Sequence, residues 1–184
     1  MVDKGVPLIT EGMVLECNFK TLDKPVYFLG VKDFWRFKPG KMLGEKTGVS
    51  EPGAIWDRFF KVQRSIPRIP KGRNIGVSYD GGAPEGYASY FAGAEVDACE
   101  FASPDARFAN WQLPAREYVV CRFEAETFDE LVGSAHGKAM KYTRFWLKNN
   151  GLRMDDFTSE IYYHDTARAA YLEMWIPFKE RENL

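Results

Sequence analysis

The chain has 184 residues, of which 45% are hydrophobic and 28% charged. This is the balance of one globular domain rather than of a disordered chain. Its 25 Lys and Arg against 26 Asp and Glu give a net charge of −1, which excludes the basic excess of an overall nucleic-acid-binding surface. No apolar run has the length of a membrane span, and no signal-peptide stretch opens the sequence, so we expect a cytoplasmic protein without a membrane partner.

The first half of the chain predicts strands on either side of a helix. Alternating apolar residues and turn signals predict four strands, at 13–21, 26–32, 73–79 and 86–96. The segment 38–53 is rich in Gly, Lys and Pro and is predicted to be a loop. A helix is predicted to begin near Ser50, which suits an N-cap, and to end before Pro67.

The second half repeats this order. Strands are predicted at 108–113, 117–125, 158–164 and 169–178. Thr127 and Glu130 form a capping box that begins a long helix, with His136 predicted on its surface. We therefore expect a single α+β domain over 1–184, built from a duplicated strand–helix–strand–strand unit with antiparallel sheets and two main helices around a central pocket. The pseudo-repeats would cover about 10–97 and 106–180.

Acidic and aromatic residues alternate in the last two strands. Residues two apart in a strand share a face. One face of the last strand is apolar, with Leu172, Met174 and Ile176, and we expect it to pack on the long helix together with Ile161 of the strand before. The opposite faces, with Glu160, Tyr162, Tyr171, Glu173 and Trp175, are then predicted to line the concavity. An offset of 83 residues between the halves matches Tyr79 with Tyr162 and Tyr90 with Glu173. Tyr79 and Tyr90 are therefore predicted to face these residues from the first half of the chain.

This pattern favours a particular kind of ligand. A carboxylate among aromatic rings attracts a lipophilic cation by its charge and by the quadrupoles of the rings. Burial would also raise the pKa of an unpaired Glu, and such a group can act as a general acid or base. The alternative for each Glu is a solvated edge position or an ion pair with Arg122 on a neighbouring strand. No cofactor motif occurs, and the three cysteines (Cys17, Cys99 and Cys121) lack the spacing of a metal site.

From about residue 53 to 179 the chain resembles the GyrI-like, or AraC-type effector-binding, family of small-molecule-binding domains. The resemblance rests on the order and spacing of several stretches across the chain: Ile55-Trp56-Asp57-Arg58-Phe59, Gly76-Val77-Ser78-Tyr79-Asp80, Leu113-Pro114-Ala115-Arg116-Glu117-Tyr118, Tyr142-Thr143-Arg144-Phe145-Trp146-Leu147, Glu160-Ile161-Tyr162 and Leu172-Glu173-Met174-Trp175-Ile176-Pro177. It implies a duplicated α+β unit with a pocket between the halves. The family's Glu-x-Tyr pattern falls on Glu160 and Tyr162, although Ser159 departs from the apolar residue that commonly precedes it.

The resemblance also implies a function. We expect a stand-alone module that sequesters or senses a lipophilic, cationic or planar aromatic compound. The predicted ligand-binding residues are Glu160, Glu173, Tyr162, Trp175, Tyr171, Tyr79 and Tyr90. One alternative is a hydrolase of cyclopropane-containing aromatic compounds, with Glu160 and Tyr162 as catalytic residues. Another is a gyrase-inhibitor-like protein-interaction module. The helical DNA-binding module of the family's regulators is not found, so we expect no direct contact with nucleic acid.

Overall fold

One antiparallel sheet organises the chain. The computed structural model describes residues 8–10, 13–36, 51–102, 105–163 and 170–180. The strands are β1 (Leu8–Thr10), β2 (Met13–Thr21), β3 (Val26–Arg36), β4 (Asn74–Tyr79), β5 (Tyr87–Val96), β6 (Ala109–Leu113), β7 (Glu117–Ala125), β8 (Leu152–Met154), β9 (Phe157–Tyr162) and β10 (Ala170–Glu180). The helices are α1 (Glu51–Val62), α2 (Ala98–Ala102), α3 (Phe128–Glu130) and α4 (His136–Asn149), with a short 3-10 turn at Gln63–Ser65. The predicted α+β class is confirmed. The predicted helix start near Ser50 agrees with the start of α1 at Glu51. The predicted loop at 38–53 lies outside the described residues except for 51–53, which are helical rather than loop.

The strand order places the two halves of the chain around a central pair. It runs β1-β2-β7-β10-β9-β4-β5-β3-β6, with β8 paired to β10. The strands β2, β3, β4 and β5 correspond in turn to β6, β7, β9 and β10. When each strand is replaced by its counterpart, the order from β2 to β6 reads the same from the opposite end, and the counterparts β4 and β9 pair in the middle. The first strand of each half is thereby exchanged to the side of the other half. The duplication and its bounds stay predictions.

The helices cover one face of the sheet, which we call the outer face. Ile55 and Phe59 of α1 pack against Leu29 on β3 and Ala92 on β5. On the other half, α4 packs on β2, β7 and β10. Leu172, Met174 and Ile176 lie fully buried in this second cluster, which confirms that the apolar face of the last strand faces the long helix.

The long helix contains a π-helical turn that its sequence did not predict. The helix begins as predicted, since Thr127 Oγ1 accepts the Glu130 amide at 3.2 Å. Between α3 and α4, however, Leu131–Ala135 is π-helical. Such a turn inserts one residue and rotates the following side chains. Both Ala135 and His136 therefore lie on the buried side, and the prediction of a surface position for His136 is wrong, since only 2% of that residue is exposed.

The opposite, inner face closes on itself because the sheet curls. Trp111 on β6 and Phe157 on β9 are four strand positions apart in the sheet order. In a flat sheet they would be separated by about 19 Å, yet their ring centroids are 5.3 Å apart. Ile161 and Trp175 are also buried in this inner cluster. The expectation that Ile161 packs on the long helix is therefore wrong.

Two of the cysteines lie opposite each other on neighbouring strands. Cys17 on β2 pairs in register with Cys121 on β7, and both are buried free thiols, whereas Cys99 is an exposed free thiol. Within the described parts of the chain, no helix is long and apolar enough to cross a membrane.

The curled inner core generates a stability prediction. Phe157 is buried against Trp111 and Tyr118, so Phe157→Ala should destabilise the fold by about 3–5 kcal/mol through lost contacts and an inner cavity. Urea unfolding followed by far-UV circular dichroism measures this. Phe145→Ala is the matched control, because Phe145 is 58% exposed on α4 and should change stability little. Equal losses in the two variants would contradict the curled sheet.

Candidate ligand-binding site

Glu160 lies at the centre of the outer face. It is on β9, opposite Met174 of β10 on one side and Gly76 of β4 on the other. Directly opposed residues of neighbouring strands point to the same side of a sheet. Glu160 therefore shares the outer face with Met174, between the half covered by α1 and the half covered by α4. Only 8% of the residue is exposed.

Both carboxylate oxygens of Glu160 have partners. Tyr162 donates its hydroxyl to Oε2 at 2.7 Å, and the Tyr90 hydroxyl lies 3.4 Å from the same oxygen. His136 places Nε2 3.3 Å from Oε1. The Trp56 indole N–H donates to the Tyr90 hydroxyl at 2.9 Å, so a chain of contacts runs from α1 through β5 to the carboxylate. We call these five residues the Glu160 cluster.

The cluster holds one ionised acid among neutral hydroxyl groups. Burial raises the pKa of Glu160, but the positive charge that His136 can carry and the hydrogen bonds to the carboxylate outweigh it, so that the pKa lies below its usual value. Burial, followed by the charge of Glu160, raises the pKa of both Tyr90 and Tyr162 well above the usual value. The tyrosines therefore remain protonated donors over the ordinary pH range.

Aromatic rings bridge the two halves beside the carboxylate. Trp56 of α1 meets Tyr162 edge to face at 5.1 Å between ring centroids. Phe60 lies 5.6 Å from Trp56, and Phe128 lies 6.4 Å from Tyr162. Phe60 and Phe128 are 49% and 59% exposed, whereas Trp56 and Tyr162 are half-buried. The four rings thus form a line from solvent on the α1 side to solvent on the α3 side.

Gly76 leaves the space that the cluster occupies. A Cβ at this position would lie 2.2 Å from the Tyr90 hydroxyl and 3.2 Å from Glu160 Oε2. Real Cβ atoms do not approach so closely, so any side chain here would displace the Tyr90 hydroxyl. The glycine on β4 is therefore the condition for Tyr90 to reach the carboxylate on β9.

Glu173 lies on the opposite side of the sheet, which corrects the prediction that it shares a pocket with Glu160. It pairs with Ile161, and its neighbour Met174 pairs with Glu160, so the two acids point to opposite faces. Glu173 Oε2 accepts hydrogen bonds from Tyr163 at 2.7 Å and from the Trp175 indole at 2.9 Å. Lys20 lies 3.9 Å from the same oxygen and 4.5 Å from the centroid of the Trp175 ring.

The other predicted residues divide in the same way. Tyr90 joins Glu160 and Tyr162 on the outer face, whereas Tyr79 contacts Trp111 in the inner cluster and Tyr171 stacks on Tyr163 beside Glu173. The offset of 83 residues therefore matched residues of opposite faces. Arg122 lies over Tyr171 and pairs with Glu124, so it neutralises neither predicted acid. Whether any of these residues binds a ligand stays a prediction.

The sequence analysis did not predict Trp56 and His136 of the Glu160 cluster. It also did not predict the exposed rings of Phe60 and Phe128 beside it. Trp56 lies within a stretch that carries the family resemblance, but helical periodicity alone did not place it. His136 could have been found, because it has helical spacing from Ala139, Met140 and Thr143, all of which are buried. Among the described residues, no group of three or more His, Cys, Asp and Glu side chains could hold a metal ion.

The sequence profile of the GyrI-like small molecule binding domain matches residues 39–179. The chain belongs to the GyrI-like family. Among solved structures, it is similar to SAV2435 bound to tetraphenylphosphonium, with 14% identity, a TM-score of 0.63 and coverage of 89% of this chain and 94% of that one. No curated protein matches the chain closely enough to count as a relative.

Two further solved structures share the GyrI-like fold of this chain. The integron cassette protein VCH_CASS2 from the mobile metagenome of Vibrio cholerae is 12% identical with a TM-score of 0.62, and the alignment covers 92% of this chain and 100% of that one. The EcmrR C-terminal domain is also 12% identical with a TM-score of 0.53, covering 90% and 98%. At such identities the likeness concerns the fold.

The close approach at Gly76 can be tested directly. Gly76→Ala should displace the Tyr90 hydroxyl and lower the free energy of unfolding by about 1–3 kcal/mol, as overpacking in a core usually does. Urea denaturation measures it. Gly133→Ala is the control, because a Cβ at this helical position meets no atom within 4 Å and should not destabilise. A Gly76→Ala protein as stable as the wild type would show that Tyr90 does not occupy this space.

Proposed function

We propose that this GyrI-like domain binds a lipophilic aromatic cation at Glu160 and thereby sequesters or senses it. The observation that carries the proposal is the buried carboxylate of Glu160, 8% exposed, which lies among the rings of Tyr90, Tyr162 and Trp56. A buried charge must be compensated, and an organic cation with an apolar surface can do so while burying that surface.

The arrangement selects for charge and for aromatic surface together. A cation beside a carboxylate gains more in a dry cleft than in water, because the effective dielectric constant is lower there. The faces of Trp56 and Tyr162 add attraction through their quadrupoles, which is strongest for Trp. Neither tyrosine hydroxyl can become a competing anion near neutral pH, because burial and Glu160 raise the pKa of both.

The rings must move for a bulky ligand to reach the acid. Trp56 and Tyr162 are in direct contact beside Glu160, and Tyr162 uses its hydroxyl to hold the carboxylate. A cation that replaces the Tyr162 hydrogen bond compensates the charge in its place, so α1 and β9 can separate without leaving the acid unpaired. Ligand binding would thus change the position of α1 relative to the sheet, which is the kind of change a sensor needs.

The relatives support this ligand class. The family is defined as small-molecule-binding, and SAV2435, which has the same fold, was solved with tetraphenylphosphonium, a lipophilic aromatic cation. Tetraphenylphosphonium was bound to SAV2435, and the structural similarity between SAV2435 and this chain covers 89% of this chain.

Tetraphenylphosphonium is therefore the probe for a binding experiment by isothermal titration calorimetry. We expect saturable binding to the wild type and an affinity at least about tenfold lower for Glu160→Gln, because a close charge pair is lost while shape is kept. Glu173→Gln makes the same change on the opposite face of the sheet, and we expect it to bind as the wild type does.

Other outcomes would point elsewhere. Equal binding by Glu160→Gln and the wild type would contradict the role of the carboxylate. A loss confined to Glu173→Gln would move the site to the inner face. Tetraphenylmethane derivatives made soluble without a cation serve as ligand controls, and they should bind far more weakly than the phosphonium if charge is recognised.

A further inference from the structure

His136 can supply the compensating charge that a cationic ligand would have to replace. It is the first residue of α4 and 2% exposed, and its Nε2 lies 3.3 Å from Glu160 Oε1. The tyrosine hydroxyls both contact the other oxygen, Oε2. The two sides of the carboxylate are thus held differently, one by neutral donors and one by a group that can carry a positive charge.

We propose that a cation bound at Glu160 expels the proton from His136, so that ligand binding and proton release are coupled. This rests on the proposed function. Two positive charges cannot share one buried carboxylate without leaving a net charge in a medium of low dielectric constant. An imidazolium can leave by losing its proton, because histidine changes charge between about pH 5 and 8, whereas Arg and Lys remain charged.

Among the described neighbours of Glu160, His136 is the one that can lose a proton near neutral pH. The described groups that act on Glu160 are His136 from α4, Tyr90 from β5 and Tyr162 from β9. Both tyrosines keep their protons near neutral pH. Trp56 from α1 and Phe123 from β7, whose ring centroid is 6.2 Å from that of His136, do not titrate in this range. The proton that a bound cation displaces near neutral pH is therefore the one on His136.

The direction of the pH dependence follows. At low pH the imidazolium must lose its proton before the cation binds, so the affinity rises with pH, by up to about tenfold per pH unit. Above the titration of His136 the imidazole is neutral and the affinity becomes constant. Protonation of Glu160 itself comes at lower pH, because its pKa is depressed, and it would weaken binding further there.

The wild-type protein tests this without any substitution. Calorimetric titration with tetraphenylphosphonium in buffers of different ionisation enthalpy, between pH 5.5 and 8.5, counts the protons released on binding. We expect a release that approaches one proton at the acid end and vanishes at the basic end, while the dissociation constant falls as the pH rises. Binding that depends on Glu160 but shows no proton release and a constant affinity would overturn the coupling alone. If the probe binds at no pH, the proposed function fails and the coupling with it.

The two histidines of the chain allow a matched pair of variants. His136→Asn should make the affinity independent of pH over the range where Glu160 is ionised, whereas His164→Asn should keep the wild-type profile. Since His136 is buried, the asparagine variant could fail to fold, and a ligand-free measurement then decides. The imidazole proton of His136, followed by NMR, should titrate at lower pH in Glu160→Gln than in the wild type. An unchanged midpoint would show that the two side chains do not share a charge.

Discussion

A carboxylate that is buried at the centre of a sheet has to be compensated by protein groups, because water no longer reaches it. This constraint determines the surroundings of Glu160. Tyr162 and Tyr90 contact Oε2, and His136 lies beside Oε1. Gly76 is needed on the neighbouring strand because a larger residue would push the Tyr90 hydroxyl away. The buried charge of Glu160 thus constrains which residue types fit at its neighbouring positions on β4, β5, β9 and α4.

Strand alternation places a second acid with similar neighbours, Glu173, on the opposite face of the sheet. Glu173 also has aromatic donors, Tyr163 and Trp175, but Lys20 beside it has a side chain that is 50% exposed. Ion pairs open to solvent contribute little, because water screens both charges. The charge of Glu173 is therefore compensated at the edge of the inner face, where solvent also screens it. Two acids with similar aromatic donors on adjacent strands thus differ in their cationic neighbour, which is a buried imidazole beside Glu160 and a half-exposed ammonium group beside Glu173.

Strand alternation predicted which residues share a face within each strand, but not which faces of two strands coincide. In β10 the apolar set of Leu172, Met174 and Ile176 was assigned correctly to the helix side. The relative register of β9 and β10 is set by how the two strands pair, and a shift of one residue exchanges the faces. The sequence contains no signal for that choice, and Ile161 was placed wrongly for this reason. The resemblance to a family, by contrast, selected Glu160 and Tyr162, which form a hydrogen bond of 2.7 Å.

A π-helical turn precedes the residue that the sequence analysis placed wrongly. Periodicity carried forward from Leu131 leaves His136 off the buried side, whereas periodicity counted back from the buried Ala139, Met140 and Thr143 places it there. Turns of this kind are frequently found at functional sites. In this protein the reoriented side chain is the one at Oε1 of the buried acid.

The chemical nature of that residue matters for the proposed binding of a cation. A guanidinium beside Glu160 would compensate the charge more firmly, but it would remain charged and would have to be moved bodily for a cation to enter. A neutral amide would leave the acid poorly compensated when no ligand is present. An imidazole compensates the acid when protonated and withdraws its charge without changing position. Of these three residue types, histidine is therefore the one that would compensate Glu160 in the ligand-free protein and could still give up its positive charge near neutral pH when the proposed cation binds.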